Sequence, residues 1–280
     1  MKYSKRIQKV IRFIIVLIGA IITMYPLLWM LSSSFKPEIN IFRHMGLIPN
    51  PATIENYING WQGASGLSFT VYYKNTFFIV ACVILGTLIS SSMTAYAFAR
   101  MDFTFKNILF TTMLVTMMLP FHVTLIPRYI MFLKLGWIDT YYPLIIPAFF
   151  ATHGFFVFLM VQFMRGIPKE LDNAATVDGC GPIQIYWRII LPLSLPALVT
   201  AAIFSFMWTW NDFFSQLIYI SNPLKYTIAL GLRAFMDSTS RSAYGQLFAM
   251  SILSILPIFI FFILCQNLLI EGISTTGIKG

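Results

Sequence analysis

The sequence predicts an all-α integral membrane protein with six transmembrane helices, and three observations carry that prediction. Of 280 residues, 58% are hydrophobic and 10% are charged, against about 25% charged in an average soluble domain. A water-facing exterior needs charge, so a soluble fold of this size cannot hide so much apolar surface. Six apolar stretches lack Asp, Glu, Lys and Arg altogether, at 13–35, 75–99, 107–127, 140–164, 189–211 and 242–270. Each reaches the roughly 20 residues that a helix needs to cross a ~30 Å hydrocarbon core. The charges fall mainly in loops and tails, so the net charge of +9 forms no solvated basic face for nucleic acid.

Taken in order, helices are expected at about 13–35, 75–99, 107–127, 140–163, 193–214 and 243–269. Lys2, Lys5, Arg6, Lys9 and Arg12 precede the first, which places the N-terminus in the cytoplasm by the positive-inside rule. Six crossings return the C-terminal tail, 271–280, to the same side. The first apolar run exceeds the 7–15-residue core of a signal peptide and lacks a small-x-small cleavage site, so it is expected as a retained helix. Residues 36–74, with Pro37, Pro49 and Pro51, form an external loop. A short turn joins the second and third helices as an antiparallel hairpin, and residues 128–139 form an external turn after the third. Cys82, Cys180 and Cys265 are far apart and show no metal spacing, so no metal site is expected. His122, beside Pro120, is expected as a satisfied buried histidine.

The longest cytoplasmic segment, 165–192, has helical logic. Pro168 suits a first turn, and Glu170 and Asp172 suit a helix N-terminus. Leu171, Ala174 and Ala175 recur at i, i+3 and i+4 as one compact apolar face. Gly179 can take the positive φ that ends a helix. A second short helix starts at Pro182 and runs to Leu191, where Pro192 stops it. The result is a helix–Gly–helix loop outside the membrane, either an interfacial element lying on headgroups or a small-residue knob for a partner protein.

The run Ala174-Ala175-x-x-x-Gly179, nine residues, then Ile189-x-Leu191-Pro192 resembles the EAA loop of binding-protein-dependent ABC importer permeases. Ile167-Pro168-Lys169-Glu170-Leu171, Trp210-Asn211-Asp212-Phe213, Tyr96-Ala97-Phe98-Ala99-Arg100, Leu125-Ile126-Pro127 with Leu135-Gly136, and Gly277-Ile278-Lys279-Gly280 extend the resemblance from about residue 75 onward. It points to the carbohydrate-uptake branch, and within it to the smaller permease subunit of the maltose importer. The glutamate that names the motif is Asn173 here, and the position often held by alanine is Cys180. Asn173 keeps hydrogen-bonding capacity and loses charge.

The resemblance implies a type I ABC importer permease fold. It further implies a heterodimer with a second permease, an ATPase dimer that uses ATP and Mg, and an extracytoplasmic solute-binding protein that delivers a sugar. This chain would bind no cofactor and catalyse nothing. Glu170, Asp172, Asn173, Ala174, Ala175, Asp178, Gly179, Ile189, Leu191 and Pro192 would meet the ATPase, and the tail residues Thr275, Gly277 and Lys279 would reach it too. Trp208, Trp210, Asn211, Asp212 and Gln216 cluster near the external half of the fifth helix. Their aromatic faces and amides suit a sugar, and equally suit interfacial anchoring.

Three rivals are weaker. An ion-coupled secondary transporter would place ionisable groups near the bilayer midplane, and the six stretches contain no Asp, Glu, Lys or Arg. A membrane enzyme would need a catalytic constellation at membrane depth. The chain carries neither HExxH nor the P-loop G-x-x-x-x-G-K-[ST]. A structural scaffold would not need this loop. Within the importer reading, the expected solute is an oligosaccharide, with a non-sugar solute as the alternative.

Overall fold

The computed structural model describes residues 2–63, 66–236 and 243–274. All regular structure among them is helical. The first helices are α1 (Lys2–Ser34), α2 (Glu55–Gln62), α3 (Phe69–Arg100), α4 (Lys106–Met117), α5 (Phe121–Lys134), α6 (Tyr142–Ile145) and α7 (Gly154–Gly166). Then come α8 (Glu170–Val177), α9 (Pro182–Ile185), α10 (Leu191–Leu193), α11 (Leu195–Trp210), α12 (Phe214–Tyr219), α13 (Ile228–Ala234) and α14 (Tyr244–Ser274). Four helical stretches are long and apolar enough to cross a bilayer, and two bent pairs raise the number to as many as six. The six-span expectation agrees with that.

The differences from the expected elements lie in the breaks. The third span is α4 followed by α5, bent by 103°. Pro120 precedes α5 with extended geometry, φ −59° and ψ 135°, and has no N–H to continue the helix. As a result α5 runs on to Lys134, through part of what the sequence predicts as an external turn. The fourth span opens with α6 and a 3-10 turn at Ile146–Phe150 before α7 begins. Gly86 of α3 permits this, because a Cβ there would lie 2.6 Å from the Phe149 ring. Ser90 Oγ donates to Ala148 O at 2.7 Å and fixes the same approach. The fifth span bends by 73° between α10 and α11, and α11 ends at Trp210, before α12.

The chain divides into two units, Met1–Thr70 with Gly231–Leu256, and Val71–Leu230 with Pro257–Gly280. In the first, Asn56 Nδ2 donates to Ser34 O and Lys36 O, both at 2.8 Å. Lys36 Nζ donates to His44 O and Gly46 O, and the Glu38 carboxylate accepts from Tyr244 N and Gly245 N. The predicted loop 36–74 is therefore hydrogen-bonded and contains α2, and its end is corrected, because residues 69–74 already belong to α3. Along α1, Phe13, Ile18 and Ile22 stand exposed, as side chains in hydrocarbon do. The second unit holds the main apolar core, in which Ala95, Tyr96 and Phe98 of α3 pack with Val157, Met160 and Met164 of α7.

Candidate functional site

The loop after α7 is built to keep its shape. α8 ends in paired backbone bonds, Gly179 N to Thr176 O at 3.0 Å and Cys180 N to Ala175 O at 2.9 Å. This is the Schellman arrangement, and Gly179 supplies its φ of +81°. At the start of α9, Gly181 N donates to Gln184 Oε1 at 3.1 Å. A π-turn at Tyr186–Ile190 leads into α10. Pro192 does not stop this helix, which corrects the expectation. It lies within a helical run unbroken from Pro182 to Leu193, just after the π-turn. The turn comes at Ser194, which is fully buried and donates its hydroxyl to Ile190 O.

The loop has two sides. On the inner side, Arg100 Nη1 lies 3.3 Å from Asp172 Oδ2, with side-chain exposures of 3% and 19%. Arg100 Nη2 donates to Met164 O and Ile167 O, each at 2.7 Å. Tyr96 Oη donates to Pro182 O at 2.9 Å, and the Tyr186 and Ser92 hydroxyls share a bond of 2.8 Å. Ala175, Ile185, Tyr186 and Ile190 join the core, with Cys180, Ile189 and Leu191 half-buried against it. On the outer side Glu170, Asn173, Ala174, Asp178, Gly179 and Pro192 are exposed, and so are the apolar Val177, Ile183 and Trp187.

The predicted ATPase-facing set is thus split. Asp172, Ala175, Ile189 and Leu191 turn toward this chain's own helices, and the compact face of Leu171, Ala174 and Ala175 is divided. The reason is helical geometry. At 100° per residue, Asn173, Ala174 and Val177 fall on one side of α8, while Asp172 and Ala175 fall on the other. Val177, Ile183 and Trp187 were missed because the motif does not contain them. Arg100, Tyr96 and Ser92 were missed because nothing in their spacing links α3 to residue 172. The tail residues Thr275, Gly277 and Lys279 lie outside the described residues.

The second unit also encloses a cavity of about 860 Å³. Trp208, Asn211, Asp212 and Gln216 line it, as does His122. Trp210 does not. It is 3% exposed and packs its ring on Phe77 at 5.0 Å and Phe206 at 5.2 Å. Trp208 and Trp210 are two residues apart on a helix, about 200° around, so one faces the cavity and the other the core. Asp212 Oδ1 accepts from Ser215 N at 3.0 Å at the start of α12, and Gln216 is bonded to the Thr227 hydroxyl. His122 is exposed against the Phe214 ring at 5.6 Å, not buried as expected, because the break at Pro120 turns it out of the packed helix.

The geometry is that of a membrane-spanning chain with a firmly held loop and a cavity, and comparison with known proteins gives its family. Residues 83–273 match the model of the family described as binding-protein-dependent transport system inner membrane component, and the chain belongs to that family. It is 35% identical over 273 residues to a putative ABC transporter permease protein of Caldicellulosiruptor sp. (strain Rt8B.4), covering 96% of each chain. It is 34% identical to the arabinooligosaccharides transport system permease protein AraQ of Halalkalibacterium halodurans, covering 93% of each. It is 31% identical to the trehalose/maltose transport system permease protein MalG of Thermococcus litoralis, covering 98% of this chain and 99% of the relative. A chain in the crystal structure of a bacterial ABC transporter involved in alginate import shares the fold. Its TM-score is 0.84 at 22% identity, covering 94% of this chain and 97% of that one. The resemblance read from the loop and its flanks is borne out, as is the importer permease fold.

Proposed function

We propose that the chain is the transmembrane permease subunit of an ATP-driven importer for oligosaccharides, in the cytoplasmic membrane of a bacterium or archaeon. Both termini are cytoplasmic. A second permease completes the pathway, a separate ATPase dimer consumes ATP and Mg, and an extracytoplasmic binding protein delivers the sugar. The sugar class is supported by the named substrates of relatives at 31–34% identity over nearly the whole chain.

The observation that carries the coupling role is the two-sided loop. Its inner side is tied to the ends of α3 and α7 by a nearly buried arginine. Its outer side offers Asn173, Ala174, Val177 and Ile183. A partner that moves the outer side therefore moves the spanning helices. Asn173 contributes hydrogen bonds rather than charge to that contact. The polar and aromatic lining of the cavity, Trp208 and Asn211 foremost, forms this chain's share of the sugar path.

Co-purification in mild detergent, followed by reconstitution into liposomes, tests the proposal. The purified complex should contain a second permease and an ATPase, and should take up an oligosaccharide only with ATP and the binding protein. The chain alone should hydrolyse no ATP. ATP hydrolysis by the pure chain, or uptake of non-sugar solutes alone, would overturn the assignment.

A further inference from the structure

Arg128 is out of place in an apolar span. It sits in the middle of α5, one half of a bent pair apolar enough to cross a membrane. It stands exposed beside a largely apolar wall, where its charge suits an anionic partner. Among the described residues no carboxylate pairs with it. Its guanidinium lies 5.9 Å from the centre of the Phe121 ring and lines the cavity, within electrostatic reach of His153 and Tyr219. The one lining carboxylate, Asp212, is engaged with Ser215 at the start of α12.

The rest of the wall fits a sugar ring. Trp208 is 47% exposed, with its ring 5.1 Å from that of Phe156. Thr87 of α3 and Ser205 of α11 line the cavity, with their hydroxyls buried behind its surface. The volume, about 860 Å³, is within the range of small-molecule pockets.

We propose that this cavity is a subsite for acidic sugars, in which Arg128 takes the carboxylate of a uronate residue while Trp208 stacks on a ring face. Arginine suits the task because its planar fork matches a carboxylate in two parallel bonds. The inference rests on the sugar-importer reading and adds the charge of the substrate to it.

The test is binding of trisaccharides to the complete importer in lipid nanodiscs. The probes are trigalacturonate, triglucuronate and trimannuronate, each beside its methyl ester, which keeps the shape and removes the charge. At least one free acid should bind about tenfold or more tighter than its ester. Arg128→Gln should reduce that ratio to about twofold or less, and Arg128→Lys should restore part of it because the charge returns. Equal binding of acid and ester, or a preference that survives Arg128→Gln, overturns the inference. Uptake of neutral oligosaccharides with exclusion of every uronate overturns it as well, and leaves the importer reading intact. Import of non-sugar solutes alone removes both.

Discussion

Two ion pairs tie the second unit together, and they sit in different surroundings. Arg100–Asp172 holds the loop after α7, 3.3 Å apart and exposed only 3% and 19%. Lys225–Asp139 holds the turn after α5 to the segment after α12, 3.1 Å apart and exposed 36% and 35%. The first is a single nearly buried junction, where one arginine serves a carboxylate and two carbonyls. The second shares its work with several contacts. Ser221 N and Asn222 N both donate to Asp139 Oδ1, and Asp139 N donates to Tyr219 O. At the start of α8 the ionic contacts converge on one side chain, with the Tyr96–Pro182 and Ser92–Tyr186 bonds holding the loop further on. The framework beside the cavity is spread over many contacts, so losing one costs less.

The largest effect is expected at the first junction. Arg100→Ala removes the donor to Asp172, Ile167 O and Met164 O, of which Met164 O keeps the Ile167 amide, and breaking such a buried pair costs about 3–5 kcal/mol. Uptake should be lost, and the backbone amides of α8 should exchange hydrogen faster. Unchanged protection of α8 would show that the junction does not hold the loop.

Next come the two alanines, which separate packing from docking. Ala175 is 5% exposed in the core, so Ala175→Leu should destabilise the chain by about 1–3 kcal/mol through overpacking, with or without an ATPase present. Ala174 is exposed, so Ala174→Leu should leave the isolated chain's thermal stability within about 0.5 kcal/mol and abolish ATPase stimulation in the complex. Nothing lies within 4 Å of a Cβ at Gly179. Gly179→Asn, which tolerates positive φ, should therefore be milder than Gly179→Val. Equal behaviour of the two alanine variants would dissolve the two-sided description of α8.

The smallest effect belongs to the exposed pair. The Asn222 amide first, then Lys225 and the Ser221 amide, hold the Asp139 carboxyl below its usual range, against partial desolvation. A depressed carboxyl stabilises the fold above its ordinary pKa of about 3.9 and loses that contribution as pH falls through the depressed value. Exchange at Ser221 and Asn222 should quicken below about pH 4, and Asp139→Asn should remove that pH dependence. Pair exposure keeps the effect small.

The six spans were legible because hydropathy sums over a window and needs no knowledge of direction. The bends were not. Pro120 and Ser194 redirect the chain inside stretches that read as continuous apolar runs. The loop after α7 was legible as helix, glycine turn and helix, since Gly179 and Pro182 act on their own neighbours. Its facing was not, because whether Ala175 or Ala174 points inward depends on where α3 and α7 stand. Arg128 shows the same limit. Charge counting put it in a loop, since the uncharged window stops at Pro127, and only the bend at Pro120 carries it into the cavity wall.

By itself, the sequence determined that this protein lives in a bilayer, that a helix–Gly–helix loop interrupts its spans, and which family that loop resembles. These follow from properties local to a residue and its near neighbours: apolar area, backbone freedom and missing donors. The tertiary structure decided which side of α8 is free, that Arg100 locks the other side, and that Arg128, Thr87 and Ser205 share one cavity. Those outcomes depend on contacts between residues far apart in the chain, such as Arg100 with Asp172, and no local pattern encodes which distant partner a side chain will meet.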